Sequence, residues 1–481
     1  MVSDDVIYFL FMVVSVAIGP IFTKHFTQPT PKKVSSSLIG LLLLCAVCKG
    51  HVIHVIINVL GNCLLVLLVP PTKNENGLPG KSFAWNFGYL VLFRTVHWFG
   101  LPAPSPVTNA AQLFLTLKMV GLAFEIQDSF NRRESVQSSS GDEKVDLELR
   151  IKHCSVKVSA LDVVAYAFCY IGLLTGPYYK YRTYQDWLDS TNSANIDIAT
   201  PLIGRAKQLP IIAACFLFFS YFFNIQYVDS DEFLERSFLF RLFYMVPMFT
   251  IFRTRLYMAW ICSEMMSMTA GLGAYPVKSK PRCGDGATDL KQLDVALEEE
   301  KAGKSLDYDF ETIHNIDIYG CELAPMTKQG LRSWNMTVQY WLASCIHKRV
   351  PAALKAHRYS SDSELWALRV AVTMTVSAFW HGIHPGYYLS FLTVPPILMA
   401  EQVMIRAFRD DASPRAQALF DWGCWFCKMR GFDYMCMGFL LLRFGSTLRY
   451  WYSIYFVVHI IIVIFFAIGK IRLGMKKKKA M

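Results

Sequence analysis

The sequence predicts an all-α polytopic membrane protein with about eleven transmembrane helices and some shorter or re-entrant ones. Three observations carry that expectation. Hydrophobic residues make up 53% of the 481, and mean hydropathy is +0.31. Charged residues make up only 18%, against roughly 25% in soluble domains. The apolar residues come in long runs, not in the alternating segments of about ten residues that a membrane barrel would show.

The first run, Val6 to Phe22, follows Asp4 and Asp5 and precedes Lys24 and His25. That flank pattern suits an uncleaved span with its acidic end lumenal and its basic end cytosolic. Further runs lie at 36–49, 51–69, 84–100, 108–126, 158–175, 208–227, 236–252 and 256–275, with Arg253 and Arg255 between the last two. An amphipathic stretch at 331–347 is followed by runs at 364–384, 386–406, 432–445 and 450–469. Two polar stretches, 127–157 and 277–330, read as loops. Both are too short to be separate enzyme domains, so 1–481 is expected to be one membrane domain whose chemistry lies within the helix bundle. Residues 470–481 form a basic, cytosolic tail. Lys478 and Lys479 match a dilysine signal for retrieval to the endoplasmic reticulum, which would make a retrieval coat a partner. A plain anchor to anionic lipid is the alternative.

Formal net charge is +11. No nucleic-acid-binding motif accompanies it, so no nucleic-acid partner is expected. Cytosolic-loop bias explains a basic excess, and attraction for anionic lipid or a phosphorylated co-substrate adds to it. The 13 cysteines are scattered, many inside apolar runs, which is the usage of buried thiols and not of a disulfide framework. Cys424-Trp425-Phe426-Cys427 has redox spacing without the βαβ context.

The richest stretch is Ala378-Phe379-Trp380-His381-Gly382-Ile383-His384-Pro385-Gly386-Tyr387-Tyr388. Upstream, Arg369, Thr373, Ser377 and His381 follow one another at i, i+4, a wet stripe on an otherwise apolar helix. Polar groups at membrane depth are costly and usually face a bundle interior or a functional cavity. A buried structural histidine is the plain alternative for His381. His381-x-x-His384 lacks the further ligands of a zinc site, and no metal is expected.

Arg332, Asn335 and Gln339 fall at i, i+3, i+7, which would put them on one helical face, with Trp334, Val338 and Trp341 opposite. An interfacial helix with aromatic anchors would also fit. Asn335-Met336-Thr337 is a glycosylation sequon, expected to be unoccupied because the segment reads as buried. Histidine can accept a proton near neutral pH. An asparagine amide can hold a carbonyl oxygen or the oxyanion formed from it. His381 as base and Asn335 as donor suffice for acyl transfer from a thioester to a hydroxyl, with Ser377 placed to orient the imidazole. There is no G-x-S-x-G elbow. Gly80-Lys81-Ser82 lacks the first glycine of a phosphate loop, and Gly271–Pro276 is no dinucleotide fingerprint. A transporter would also have many spans and polar groups at depth, but it predicts an internal repeat, and none is visible.

Trp334-Asn335-Met336-Thr337 with Trp380-His381-Gly382 resembles the signature of the membrane-bound O-acyltransferase family. Longer strings extend the likeness over nearly the whole chain: Thr175–Tyr179, Arg241–Met245, Tyr257–Trp260, Trp334–Trp341, Trp380–Phe391 and Asp433–Gly438. They resemble the branch that acylates lysophosphatidylinositol. The resemblance implies helices around a central catalytic chamber in the endoplasmic reticulum membrane, with His381 and Asn335 catalytic. It implies arachidonoyl-CoA as co-substrate, no bound cofactor, and lysophosphatidylinositol drawn from the bilayer as acceptor, in phospholipid remodelling. Trp380, Gln339 and Arg332 are supporting candidates. Lys180, Arg182, Arg253 and Arg255 are candidates for the phosphates of CoA, or else membrane-edge anchors. Another lysophospholipid, a sterol or a protein stays open as acceptor.

Overall fold

The computed structural model describes residues 4–73, 77–190, 196–350 and 362–480. They are overwhelmingly helical, and the named strands among them are one antiparallel pair of two residues each, Tyr275–Pro276 with Tyr308–Asp309. Among the described residues, six stretches are long and apolar enough to cross a membrane: Tyr8–His25, Pro29–Leu68, Pro106–Val136, Ala199–Asp229, Pro385–Arg409 and Val457–Lys478.

By that measure the count falls short of eleven, because an apolar run is not always one long helix. The run at 158–175 is helical only over Ala160–Phe168. Such a helix rises about 14 Å, half of the hydrocarbon thickness. The runs at 236–252 and 256–275 depart the other way and join in one helix, Phe238–Thr269. Arginine is a good helix former, so Arg253 does not break it. Its charge is met by Glu322 at 3.0 Å and by the face of Phe249 at 4.8 Å.

The polar stretches are folded as well. The reading of 127–157 as loop is corrected: Pro106–Val136 runs into it and Gly141–Cys154 forms a further helix. Polar sequence marks a wetted helix here. Lys152 and His153 both reach Asp294 on the Leu290–Lys301 helix, at 2.6 Å each. Between 277 and 330 lie that helix, Ile318–Leu323 and the start of Thr327–Ser333.

The residues gather into two compact units. The first comprises 1–208, 259–315 and 336–341, the second 209–258, 316–335 and 342–481. In the first, Pro106–Val136 is largely buried. It begins with Pro106 behind a Ser105 cap that accepts the Thr108 N–H at 3.2 Å. Lys118, 2% exposed, donates to the Tyr179 hydroxyl at 2.9 Å and lies 4.5 Å over its ring. Tyrosine thus stands in for a counter-ion at depth. Glu125 accepts the backbone N–H groups of Tyr181 and Arg182 at 2.7 and 3.0 Å. That places a carboxylate where the Tyr181–Asp189 helix is electropositive.

In the second unit, Pro385–Met404 packs against Asp362–His381, Pro414–Leu441 and Val457–Ala480. A Cβ on Gly386 would strike the Gly438 carbonyl, and one on Gly438 would strike the Ser390 hydroxyl. Ser390 Oγ also donates to the Met435 carbonyl at 2.7 Å. Small residues let these helices meet backbone to backbone, a common device inside membranes. Gly386→Val is therefore expected to destabilise the fold by about 1–3 kcal/mol through overpacking. Thermal unfolding of detergent-purified protein reads this, and an unchanged Tm would show that the helices do not meet there.

Candidate active site

His381 is the last residue of the Asp362–His381 helix and is half-buried. Four aromatic rings surround its imidazole. Trp380 lies edge-on at 4.6 Å, Phe391 is stacked at 5.3 Å, Phe439 is edge-on at 5.2 Å, and Tyr387 is tilted at 5.9 Å. The stripe leading to His381 is turned inward: Thr373, Ser377 and Trp380 are buried, and Arg369 Nε is buried with no hydrogen-bond partner among the described residues. His347 Nδ1 meets the Thr373 hydroxyl at 3.3 Å, bringing a second histidine to the stripe. His384 is exposed at the N-cap of the next helix.

Asn335 does not share a helical face with Arg332 and Gln339. Thr327–Ser333 ends before it, Trp334 is extended, and a new helix starts at Met336. At the break Asn335 takes φ = +47°. Asparagine is one of the few side chains that tolerate this left-handed region, so a motif that reads as one helix folds as two. The second piece is pinned within the first unit. The Met336 N–H donates to the Asn315 carbonyl at 2.7 Å, and the Thr337 hydroxyl donates to Asn315 Oδ1 at 2.6 Å. Gln339 lies on this piece, half-buried, and Arg332 is exposed on the preceding helix.

Asn335 is buried, and its Oδ1 has no hydrogen-bond partner among the described residues. A half-turn of the carboxamide would present its N–H₂ in the same place. Asn335 and His381 both belong to the second unit. Trp334, next to Asn335, is joined to His381 through two phenylalanine rings. Trp334 meets Phe252 at 6.5 Å, Phe252 meets Phe439 at 5.9 Å, and Phe439 meets His381 at 5.2 Å.

The basic candidates fare unevenly. Lys180 is paired with Asp285 at 2.7 Å, and Tyr340 donates to the same carboxylate at 2.8 Å. Burial opposes the Lys180 charge, but Tyr340 and Asp285 outweigh it and raise its pKa above the ordinary lysine value. Arg182 is held by Asp186 at 2.5 Å and by the Ser155 carbonyl at 3.3 Å. Arg253 is held by Glu322, and Arg255 is exposed. Three of the four are committed to protein carboxylates.

Sequence reasoning missed the ring wall of Tyr387, Phe391, Phe439 and Phe252, since aromatics are ordinary in apolar runs. Asp433 was passed over too, although a lone carboxylate inside the run 432–445 is the kind of signal that marks function at depth.

This helical membrane protein thus holds a histidine walled by aromatic rings and an asparagine whose buried Oδ1 has no hydrogen-bond partner among the described residues. The model of the membrane-bound O-acyltransferase family matches residues 83–441, and the chain belongs to that family and is an O-acyltransferase. It is 42% identical to the membrane-bound acylglycerophosphatidylinositol O-acyltransferase of Xenopus laevis, over 98% of this chain and 94% of that one. Identity to the Homo sapiens protein of that name is 41%, over 99% and 94% of the two chains. For the Drosophila melanogaster protein it is 31%, over 95% and 90%.

Proposed function

We propose that this enzyme transfers a fatty acyl chain from acyl-CoA to the free sn-2 hydroxyl of a lysophosphatidylinositol. The observation that carries the reading is the presence, in one unit, of a ring-walled histidine and of an asparagine whose buried Oδ1 has no hydrogen-bond partner among the described residues. The activity for which the Xenopus and human relatives are named supports the choice of acceptor.

In this mechanism the His381 imidazole takes the proton of the acceptor hydroxyl as its oxygen attacks the thioester carbonyl. The new C–O bond makes a tetrahedral centre whose negative oxygen accepts from the Asn335 amide. That centre collapses, the C–S bond breaks, and the CoA sulfur leaves with the proton that His381 carried. Both substrates held in one recess convert a bimolecular step into an effectively unimolecular one. No covalent acyl-enzyme is needed, because the thioester is already activated. Ser377 and Trp380 hold the imidazole in place. The reading includes arachidonoyl as the preferred chain, phospholipid remodelling as the setting and the endoplasmic reticulum membrane as the location.

The test is one assay of purified protein with a panel of lysophospholipid acceptors and of acyl-CoA donors. The highest kcat/KM is expected for lysophosphatidylinositol with arachidonoyl-CoA. A higher value for another headgroup would move the acceptor assignment, and one for another chain would move the donor assignment.

A further inference from the structure

Asn335-Met336-Thr337 has the spacing of a glycosylation sequon, but its threonine is engaged inside the protein. The Thr337 hydroxyl donates to Asn315 Oδ1 at 2.6 Å and accepts the Tyr178 N–H at 3.0 Å. The Thr337 N–H donates to the same Asn315 oxygen at 3.2 Å, and the Met336 N–H donates to the Asn315 carbonyl at 2.7 Å. Asn315 is held in turn. Its own N–H donates to Glu264 Oε1 at 2.7 Å, and Arg205 Nε lies 2.7 Å from Glu264 Oε2. Thr337, Asn315 and Glu264 are fully buried, and this whole chain of contacts belongs to the first unit. On the other side of Asn335, within the second unit, the Ser333 carbonyl accepts the Asp317 N–H at 3.0 Å. Residues 315–317 thus grip the chain both before and after Asn335.

A backbone in a sparsely populated region persists only where its surroundings over-determine it. Asn335, at φ = +47°, is such a residue. Three hydrogen bonds from Asn315 fall on the two residues that directly follow it. A filled polar network in a buried place specifies one geometry. The Thr337 hydroxyl is filled on both counts, since it gives its proton to Asn315 and takes one from Tyr178. Precision of this kind matters to an oxyanion donor, which acts only within hydrogen-bond distance of the atom that becomes charged. A misplacement of about 1 Å costs ~100-fold in rate.

We propose that Asn315 and Thr337, anchored by Glu264, are positioning residues for the acyl transfer: they hold the backbone that aims the Asn335 carboxamide at the developing oxyanion. The proposal rests on the mechanism above and deepens it. Neither residue touches a reacting atom; both act through Asn335. Threonine stands two places after the asparagine because the clamp needs a hydroxyl there, which accounts for the Asn-x-Thr spacing without a glycan.

The experiment measures CoA release by full-length protein with arachidonoyl-CoA and lysophosphatidylinositol. It compares Thr337→Val and Thr337→Ser, each alone and combined with Asn335→Gly. Valine cannot make either bond of the hydroxyl, and Thr337→Val is expected to lower kcat by about 10- to 100-fold. The KM for each substrate should stay within about threefold of wild type. Thr337→Ser keeps the hydroxyl and should restore kcat. With Asn335→Gly in place, Thr337→Val should take nothing further from kcat, because the group it aims is gone, while Tm falls equally in both backgrounds. A loss of kcat repeated in full beside Asn335→Gly would make the network a structural support alone and overturn the proposal. A wild-type kcat for Thr337→Val would overturn it too. Full activity of Asn335→Gly by itself would remove the Asn335 side chain from the reaction, and this proposal with it. If Thr337→Val does not fold, Thr337→Cys takes its place with the same readings, since a thiol keeps only a weak donor and acceptor.

Discussion

His381→Ala is expected to lower kcat by at least about 100-fold, because a positioned general base contributes ~10²–10⁴ to such a step. The residue ends its helix, and alanine there leaves Trp380, Phe391 and Phe439 to one another, so the protein should still fold. His381→Gln refines the result, since glutamine retains bulk and hydrogen bonding but cannot take a proton. Both variants should resemble each other in kcat and resemble wild type in Tm. Release of free CoA thiol with time measures the step directly. A kcat within about threefold of wild type for either variant would remove His381 from the chemistry.

Substitution of Asn335 should cost nearly as much, and the backbone lets its two contributions be told apart. Its φ of +47° admits glycine without strain, while alanine in that region is strained by about 1–2 kcal/mol. Asn335→Gly removes the carboxamide and relaxes the backbone; Asn335→Ala removes the carboxamide and strains it. If the amide stabilises the oxyanion, both should lose about 10²–10³ in kcat, and only alanine should also lower Tm. If the residue serves only as a turn, the glycine variant would keep its activity, and the proposed role of the side chain would be lost.

How far the sequence could be read depended on what kind of force set each feature. The stripe Arg369–Thr373–Ser377–His381 was legible because helical spacing alone puts those residues on one winding face, and they do turn inward. The break at Asn335 was not legible. Pattern matching joined Arg332 to Gln339 because nothing in local spacing announces a left-handed residue, and the break is fixed by bonds to Asn315, some twenty positions earlier. Arg253 misled for a related reason. A charge inside an apolar run looks like a boundary until its partner is known, and Glu322 lies far along the chain. The same holds for Lys180 and Arg182, whose carboxylate partners spacing could not assign.

The left-handed twist at residue 335 has a consequence for inheritance. Glycine suits that backbone and supplies no amide N–H₂ from a side chain. Such an allele would build a protein that passes cellular quality control, persists in the membrane at full abundance and does no work. Loss of function at this codon would therefore appear in lipid profiles and not in protein levels, unlike the degradation that follows most damaging substitutions.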